Sequence, residues 1–420
     1  MEDRVCWPLR FGGKLPFAAA CRIRTESIVT YRSGRHFLQL PGPTNTPERV
    51  LRAMSKPTID HRGPDFQALT RRLLDGMREV FKTEHATFIY PASGSGAWEA
   101  TIANTLSPGD RVLAFEQGFF AGKWAQIGRR FGLDVDLRPW SMREGVTPET
   151  VADALAEDSD GRIRAVMVVH NETSTGVTTD IEAIGRAMRA SGHPAMLFVD
   201  AVSSLVVTDL RHDEWSLDVT LTGSQKGLML PPGLAMVAAG PRALAAAESA
   251  TLPNSYWSWT DQAAFNERGF FPYTPATHLL YGLEEALAML AEEGFDEVFD
   301  RHARFGRATR AAVRAWGLDV YAQNEEEASA AATAVLVPEG HDADALRARI
   351  LDRFDMSLGT GLGPLKGKVF RIGHLGDLNA LSLLGALAGV EMGLRLAGVP
   401  HDGGGVDAAM NVLTQNGEAT

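Results

Sequence analysis

The chain has 420 residues, with 41 Lys and Arg against 52 Asp and Glu and a formal charge of −11. At 45% hydrophobic and 22% charged it has the balance of a globular protein with a large core, and its acidity argues against a general nucleic-acid binder, which needs a positive field to displace phosphate counterions. Only Cys6 and Cys21 carry thiols, which excludes a disulfide framework, cysteine-ligated metal sites and a cysteine nucleophile from the 399 residues that follow.

Residues 1–36 hold seven Lys/Arg against three acids and no sustained apolar run, a poor match to a signal peptide. The composition fits a transit segment, and fits better a disordered arm or an upstream start codon. From FLQLPGPTN (37–45) to about 240, helix-length stretches alternate with short apolar runs. FQALTRRLLDGMREVF (66–81) has helical spacing, TFIYP (87–91) reads as a strand, and WEATIANTL (98–106) returns to helix. RVLAF (111–115), IRAVMVVH (163–170), AMLFVD (195–200) and DVTLTG (218–223) are the compact Val-, Leu- and Phe-rich runs of parallel strands buried on both faces. Leu279, Leu283, Leu287 and Leu290 make a helical stripe, read as the link to a smaller domain. Beyond it, ATRAAVRAW (308–316), AATAVLVP (331–338), a helix near 343–353, KVFRIGHLG (368–376) and a last helix from about 378 follow without strict alternation, which predicts an α+β unit. The expected division is an arm at 1–36, a large domain at 37–290 and a small one at 291–420. NEEEASA, near 324, reads as a solvated loop. The apolar stretch ALSLLGALAGV from Ala380 is broken by Glu391 and Arg395 and is too short to span a bilayer.

In a parallel sheet ligands sit beyond the carboxyl ends of the strands, so the loops leaving them are where chemistry is expected. Ser93-Gly94-Ser95-Gly96-Ala97 joins a strand to a helix start, where backbone N–H groups and the helix dipole favour an anion. It departs from a dinucleotide fingerprint at Glu99, lacks a P-loop lysine, and taken alone is equally an ordinary cap. Asp200 ends an apolar strand, where a carboxylate needs a cation or hydrogen bonds; alone it is more simply a turn residue. Lys226 follows DVTLTG on a Gly-flanked turn, placed as a nucleophile, although an isolated lysine is usually a surface residue. The histidines show no ligand spacing, and no metal is expected.

Taken together, a lysine for an imine, an acid for a pyridine nitrogen and a phosphate cradle are what pyridoxal phosphate requires. The motifs PGPTN (41–45), DHRGPDF (60–66), ASGSGAWE (92–99), HNETSTG (170–176), LFVDAVSS (197–204), TGSQKGLMLPPG (222–233), FPYTP (271–275) and KVFRIGHLGDL (368–378) stand in the order of the class V aminotransferases. From about residue 36 onward the chain resembles that family, with the serine–glyoxylate aminotransferases as the nearest subgroup. The resemblance implies an α/β protein of fold type I, with a large, mainly parallel-sheet domain, a smaller α+β C-terminal domain and a pyridoxal 5'-phosphate cofactor. It implies that Lys226 forms the imine and that Asp200 faces the pyridine nitrogen. Ser95, Gly96 and Ala97 would bind the phosphate with Gln225 alongside. Phe120 would stack on the ring with Val202 on its other face, and Thr173 would meet the phenolic oxygen. Thr274 would reach the phosphate of a neighbouring subunit in a homodimer, and Arg371 would clamp the substrate carboxylate. Phe270 and Phe271 stand where relatives often carry a tyrosine.

The activity so implied is ping-pong transamination of L-serine and glyoxylate to hydroxypyruvate and glycine; a cytoplasmic location is expected from the lack of a convincing signal, membrane span or disulfide framework. Aspartate–glyoxylate and alanine–glyoxylate aminotransferases share the motifs, and pyridoxamine–pyruvate aminotransferase is a more distant alternative. From other classes, a nicotinamide-dependent oxidoreductase rests only on the interrupted glycine fingerprint, and a non-catalytic cofactor-binding protein would lack the amino-donor half-reaction. The cysteine desulfurase branch needs a catalytic cysteine in the main body. Here both cysteines precede the resemblance.

Overall fold

A computed structural model of the chain describes residues 33–415. The expectations for the arm at 1–36, and for Cys6 and Cys21, lie outside the described residues, apart from 33–36. In chain order the strands are β1 (Phe37–Gln39), β2 (Ala86–Tyr90), β3 (Arg111–Phe115), β4 (Asp134–Arg138), β5 (Ile163–Val169), β6 (Asn171–Glu172), β7 (Val177–Thr178), β8 (Met196–Asp200), β9 (Val219–Gly223), β10 (Ala235–Ala239), β11 (Ala332–Leu336), β12 (Met356–Thr360) and β13 (Val369–Gly373). Seven of them form one sheet in the order β2-β10-β9-β8-β5-β3-β4. All pairings in it are parallel except those of β10, which runs against both β2 and β9.

Period-2 alternation splits each central strand between two apolar layers. Leu197 and Val199 of β8 pack with Phe66, Val151, Ile181 and Leu283, on helices of one face. Met196 and Phe198 pack with Trp98, Ile102 and Trp124, on helices of the other. Burial on both faces explains why these runs are continuously apolar. β4 escaped the sequence reading because it is an edge strand, Asp-Val-Asp-Leu-Arg, with no residue fully buried. β10 was hidden by its alanines and by its antiparallel return after Pro231-Pro232-Gly233.

The second sheet has the order β1-β12-β13-β11 and is covered by helices Phe295–Ala315, Ala343–Phe354, Ala380–Ala397 and Gly405–Thr414. Here Phe305, Val313, Trp316, Ile350, Leu387 and Val390 pack into a separate core. The fold is the large parallel-sheet unit plus a smaller α+β unit that the sequence predicts. β1 departs from the expected 37–290 boundary: Phe37 to Gln39 pair in parallel with Met356 to Leu358, in the small sheet. Three residues whose partner lies over 300 positions later carry no local signal of that pairing. The Glu-rich segment is a loop with Asn324, Glu325 and Glu326 exposed, as expected, and it is also tied down: Glu325 accepts from Nε of the buried Arg310 at 2.7 Å and pairs with Arg314.

β1 runs directly into the Pro41–Asn45 loop, and the small sheet presses against it. A Cβ on Gly373 would lie 2.0 Å from the carbonyl oxygen of Leu40 and 2.6 Å from the nitrogen of Pro41. Backbone cannot yield as a flexible side chain does. Gly373→Ala is therefore expected to lower stability by about 1–3 kcal/mol, as overpacking does. The loss is read as a lower denaturant midpoint.

Candidate active site

Four strands of the large sheet end at one edge, and the loops leaving them close a cavity of about 280 Å³. β2 leads to Ser93–Ser95, β5 to His170–Ser174, β8 ends on Asp200, and β9 leads to Lys226. The lysine turn is pinned from below. Ser224 N–H donates to Leu234 O at 3.0 Å, Leu234 N–H returns to Ser224 Oγ at 3.1 Å, and that hydroxyl donates to Pro231 O at 2.7 Å. From above, Thr44 N–H donates to Gln225 O at 3.2 Å and Thr44 Oγ1 to Lys226 O at 3.2 Å. Lys226 Nζ donates to Pro41 O. Gly42 has φ +102°, and a Cβ there would come within 2.6 Å of Nζ, so this loop can pass over the lysine only as glycine. The amine is buried, and burial together with the Arg371 charge lowers its pKa to about 8, against the opposing pull of Asp200 and Glu172.

Asp200 Oδ2 accepts from Trp98 Nε1 at 2.9 Å and Oδ1 from Val202 N–H at 2.8 Å. Burial outweighs both bonds and raises its pKa to about 7. Trp98 is locked by stacking on Trp124, ring centroids 5.9 Å apart. Its donation to Asp200 is a functional contact that the sequence reading missed, although Trp98 lies inside a quoted motif.

The helix Gly94–Thr105 points its N-terminus into the cavity. Gly96 N–H and Ala97 N–H already donate to Ser93 O, at 2.8 and 3.1 Å. Gly94 and Ser95, one step earlier, have no helical carbonyl to reach and are the donors left for an anion. The sequence expectation of Ser95, Gly96 and Ala97 therefore moves towards the start of the helix: Ser93, Gly94 and Ser95 line the cavity, while Ala97 is buried beneath it. Gln225 lines the same cavity, and its buried Oε1 has no partner.

Phe120, Thr173 and Val202 stand in the wall. Arg371 is not in the immediate lining. It lies behind Thr173, with Nη1 donating to Thr173 O at 2.9 Å and Nε to Thr360 O at 2.8 Å, so the Nη2 side of the fork remains for an anion. Thr274 is exposed and lies outside the cavity, on the segment where the Tyr256 and Tyr273 rings stack at 4.8 Å. Asn171, Ser203, Pro43 and Pro232 also line the cavity, and motif membership was their only signal. The residues present fit pyridoxal phosphate: an amine, a buried acid held by two donors, a helix N-terminus with N–H groups left over, and an aromatic wall.

A buried lysine and an acid at this edge of such a sheet are the signature of fold-type-I pyridoxal-phosphate enzymes. The class-V aminotransferase family profile matches residues 36–362, and the chain belongs to that pyridoxal-phosphate-dependent family; it is an aminotransferase. It is similar to the serine–glyoxylate aminotransferase of Methylorubrum extorquens, 49% identical over 92% of this chain and 98% of the relative. The L-aspartate–glyoxylate aminotransferase of Paracoccus denitrificans is 46% identical over 90% and 96%. The crystal structure of pyridoxamine–pyruvate aminotransferase from Mesorhizobium loti superposes with a TM-score of 0.85 at 30% identity, covering 91% of this chain and 98% of that one.

Two titrations follow from the geometry. Only a neutral amine is nucleophilic, so capture of pyridoxal phosphate by the apoprotein is expected to accelerate up to about pH 8 and then level off. A surface lysine would still be gaining reactivity towards pH 10; stopped-flow absorbance distinguishes the two. For Asp200, a folded pKa of about 7 against 3.8 means the native state holds the proton more tightly than the unfolded chain. Its contribution to apoprotein stability is full below pH 4 and is lost as pH rises to 7. Asp200→Asn should remove that slope, leaving the apoprotein more stable than wild type at pH 8 by a few kcal/mol in urea titrations.

Proposed function

We propose that this chain transfers the amino group of L-serine to glyoxylate, giving hydroxypyruvate and glycine in two half-reactions with pyridoxal 5'-phosphate. The observation that carries the reading is the meeting of Lys226 and Asp200 in one cavity at a helix N-terminus. The names of the relatives supply the substrates. When bound, the cofactor supplies the electron sink that lets an amino acid release its α-proton.

The remaining work falls to the chain. Asp200 would hold the pyridine nitrogen in its charged form, and the Trp98 and Val202 donors fix the carboxylate for that contact. Gly94 and Ser95 N–H, with Gln225, would take the phosphate. Gly96 and Ala97 would support them through the helix turn. Phe120 and Val202 would hold the two ring faces, and Thr173 the phenolic oxygen. Lys226 Nζ, neutral above about pH 8, would accept the substrate α-proton and deliver it to the cofactor side of the amino nitrogen. Arg371 would take the substrate carboxylate on its free side.

A homodimer belongs to the same proposal. Thr274 sits on an exposed segment with a stacked tyrosine pair, away from its own cavity, where it could serve a partner's phosphate. A cytoplasmic location is also part of it and is tested by cell fractionation.

The test is a donor panel with glyoxylate as acceptor. Serine is expected to give the highest kcat/KM, at least tenfold above alanine and aspartate, and an aspartate preference would transfer the assignment to the second relative. Lys226→Ala should abolish turnover, and retained serine-dependent glycine formation would refute the role of the lysine.

A further inference from the structure

Among the described residues, Glu172 is the one buried carboxylate beside the cavity that the proposed reaction leaves without a task. It has 0% exposure and follows β5 on the short strand β6. Its oxygens are saturated by groups from two other places in the chain. Oε2 accepts from Phe120 N–H at 3.0 Å and Ala121 N–H at 3.1 Å. Oε1 accepts from Ser174 N–H at 3.0 Å and from Ser174 Oγ at 2.6 Å, and that same hydroxyl accepts from Phe119 N–H at 3.0 Å. The first three N–H groups of the helix Phe119–Arg130 are thus bound by one carboxylate and the serine it orients.

That helix has no cap of its own. Its N-cap is Gly118, and a Cβ there would lie 2.4 Å from Glu172 Cγ, so the glycine clears the path for an acid 54 positions later to act as the cap. The helix begins with Phe119 and Phe120, and Phe120 is in the cavity wall. The carboxylate also stands among the other buried charges: Arg371 from β13, Lys226 from the turn after β9 and Asp200 from the end of β8. It raises the pKa of the two cations and of Asp200.

We propose that Glu172 is a positioning residue of this site, which docks the first turn of the 119–130 helix so that Phe120 is held against the cofactor face and offsets the positive charge of Lys226 and Arg371. The inference rests on the transamination reading of the cavity. A purely structural cap would affect stability alone. A positioning role also changes cofactor affinity and the pH at which the lysine becomes reactive.

The experiment compares wild type, Glu172→Gln and Ser174→Ala by pyridoxal phosphate affinity and by the pH midpoint of cofactor capture in the apoproteins. Glu172→Gln removes the charge at nearly constant shape. Its capture midpoint should fall by about one pH unit and its affinity by about tenfold or more. Ser174→Ala keeps the charge but removes the bridge to Phe119 N–H. It should weaken affinity severalfold at an unchanged midpoint, which keeps the test decisive if Glu172→Gln does not fold. Wild-type affinity and midpoint in a folded Glu172→Gln, or wild-type affinity in Ser174→Ala, would overturn the proposal. Failure of the parent reading shows separately, as wild-type protein that captures the cofactor yet gives no half-reaction with any amino donor.

Discussion

Burying four ionisable groups around one small cavity is the constraint on which the rest of this structure depends. Glu172, Asp200, Lys226 and Arg371 are all at or below 8% exposure, where an uncompensated charge would cost several kcal/mol. The chain meets that cost mainly with neutral partners. Asp200 accepts from an indole and a backbone N–H, Glu172 from three backbone N–H groups and a hydroxyl, and Lys226 and Arg371 donate hydrogen bonds to backbone carbonyls. Neutral partners hold each ionisable group in place without pairing it off. The groups therefore stay available to a ligand with its own cation and anions.

The arrangement also explains why the small domain cannot be regarded as an appendage. β1 is sewn into the small sheet, and the five residues after it carry Pro41 and Thr44 onto the lysine turn. Gly373 follows Arg371 by two residues and touches the backbone at Leu40, and a Cβ on Gly376 would lie 3.0 Å from Thr44 Oγ1. Arg371 in turn holds Thr173 O from the large sheet. The strand bearing Arg371 and the loop bearing the lysine's acceptor are parts of one packed unit. A displacement of either would be felt by the amine.

How far the sequence discloses this depends on whether the cause is local. β3 matches the apolar run 111–115 residue for residue, because a strand buried on both faces writes its whole length in Val, Leu and Phe. Asp200 and Lys226 were legible because each interrupts a turn or strand end that should otherwise be apolar or bland. Trp98 and Glu172 were legible only as letters in motifs. The partner of Trp98 lies 102 positions away and those of Glu172 lie 51 and 52 positions away, and nothing in a helix start reveals that its cap comes from elsewhere. Gly118 was the available clue: a glycine directly ahead of an amphipathic helix, with no Ser, Thr, Asp or Asn to cap it.

The opposite pKa shifts of Lys226 and Asp200 have one origin. Burial disfavours the ionised form of each, so the empty site is biased towards a neutral amine and a protonated acid near neutral pH. A neutral amine is the form that can attack a carbonyl carbon or accept a proton. A protonated Asp200 would be the wrong partner for the pyridinium of the proposed reading, but an arriving cation would reverse the balance, because an opposite charge at contact distance favours the carboxylate. The strain of holding these groups dry is thus present in the apoprotein and relieved by the ligand. That is the sense in which stability in the folded core has been exchanged for a site that is already organised when its cofactor arrives.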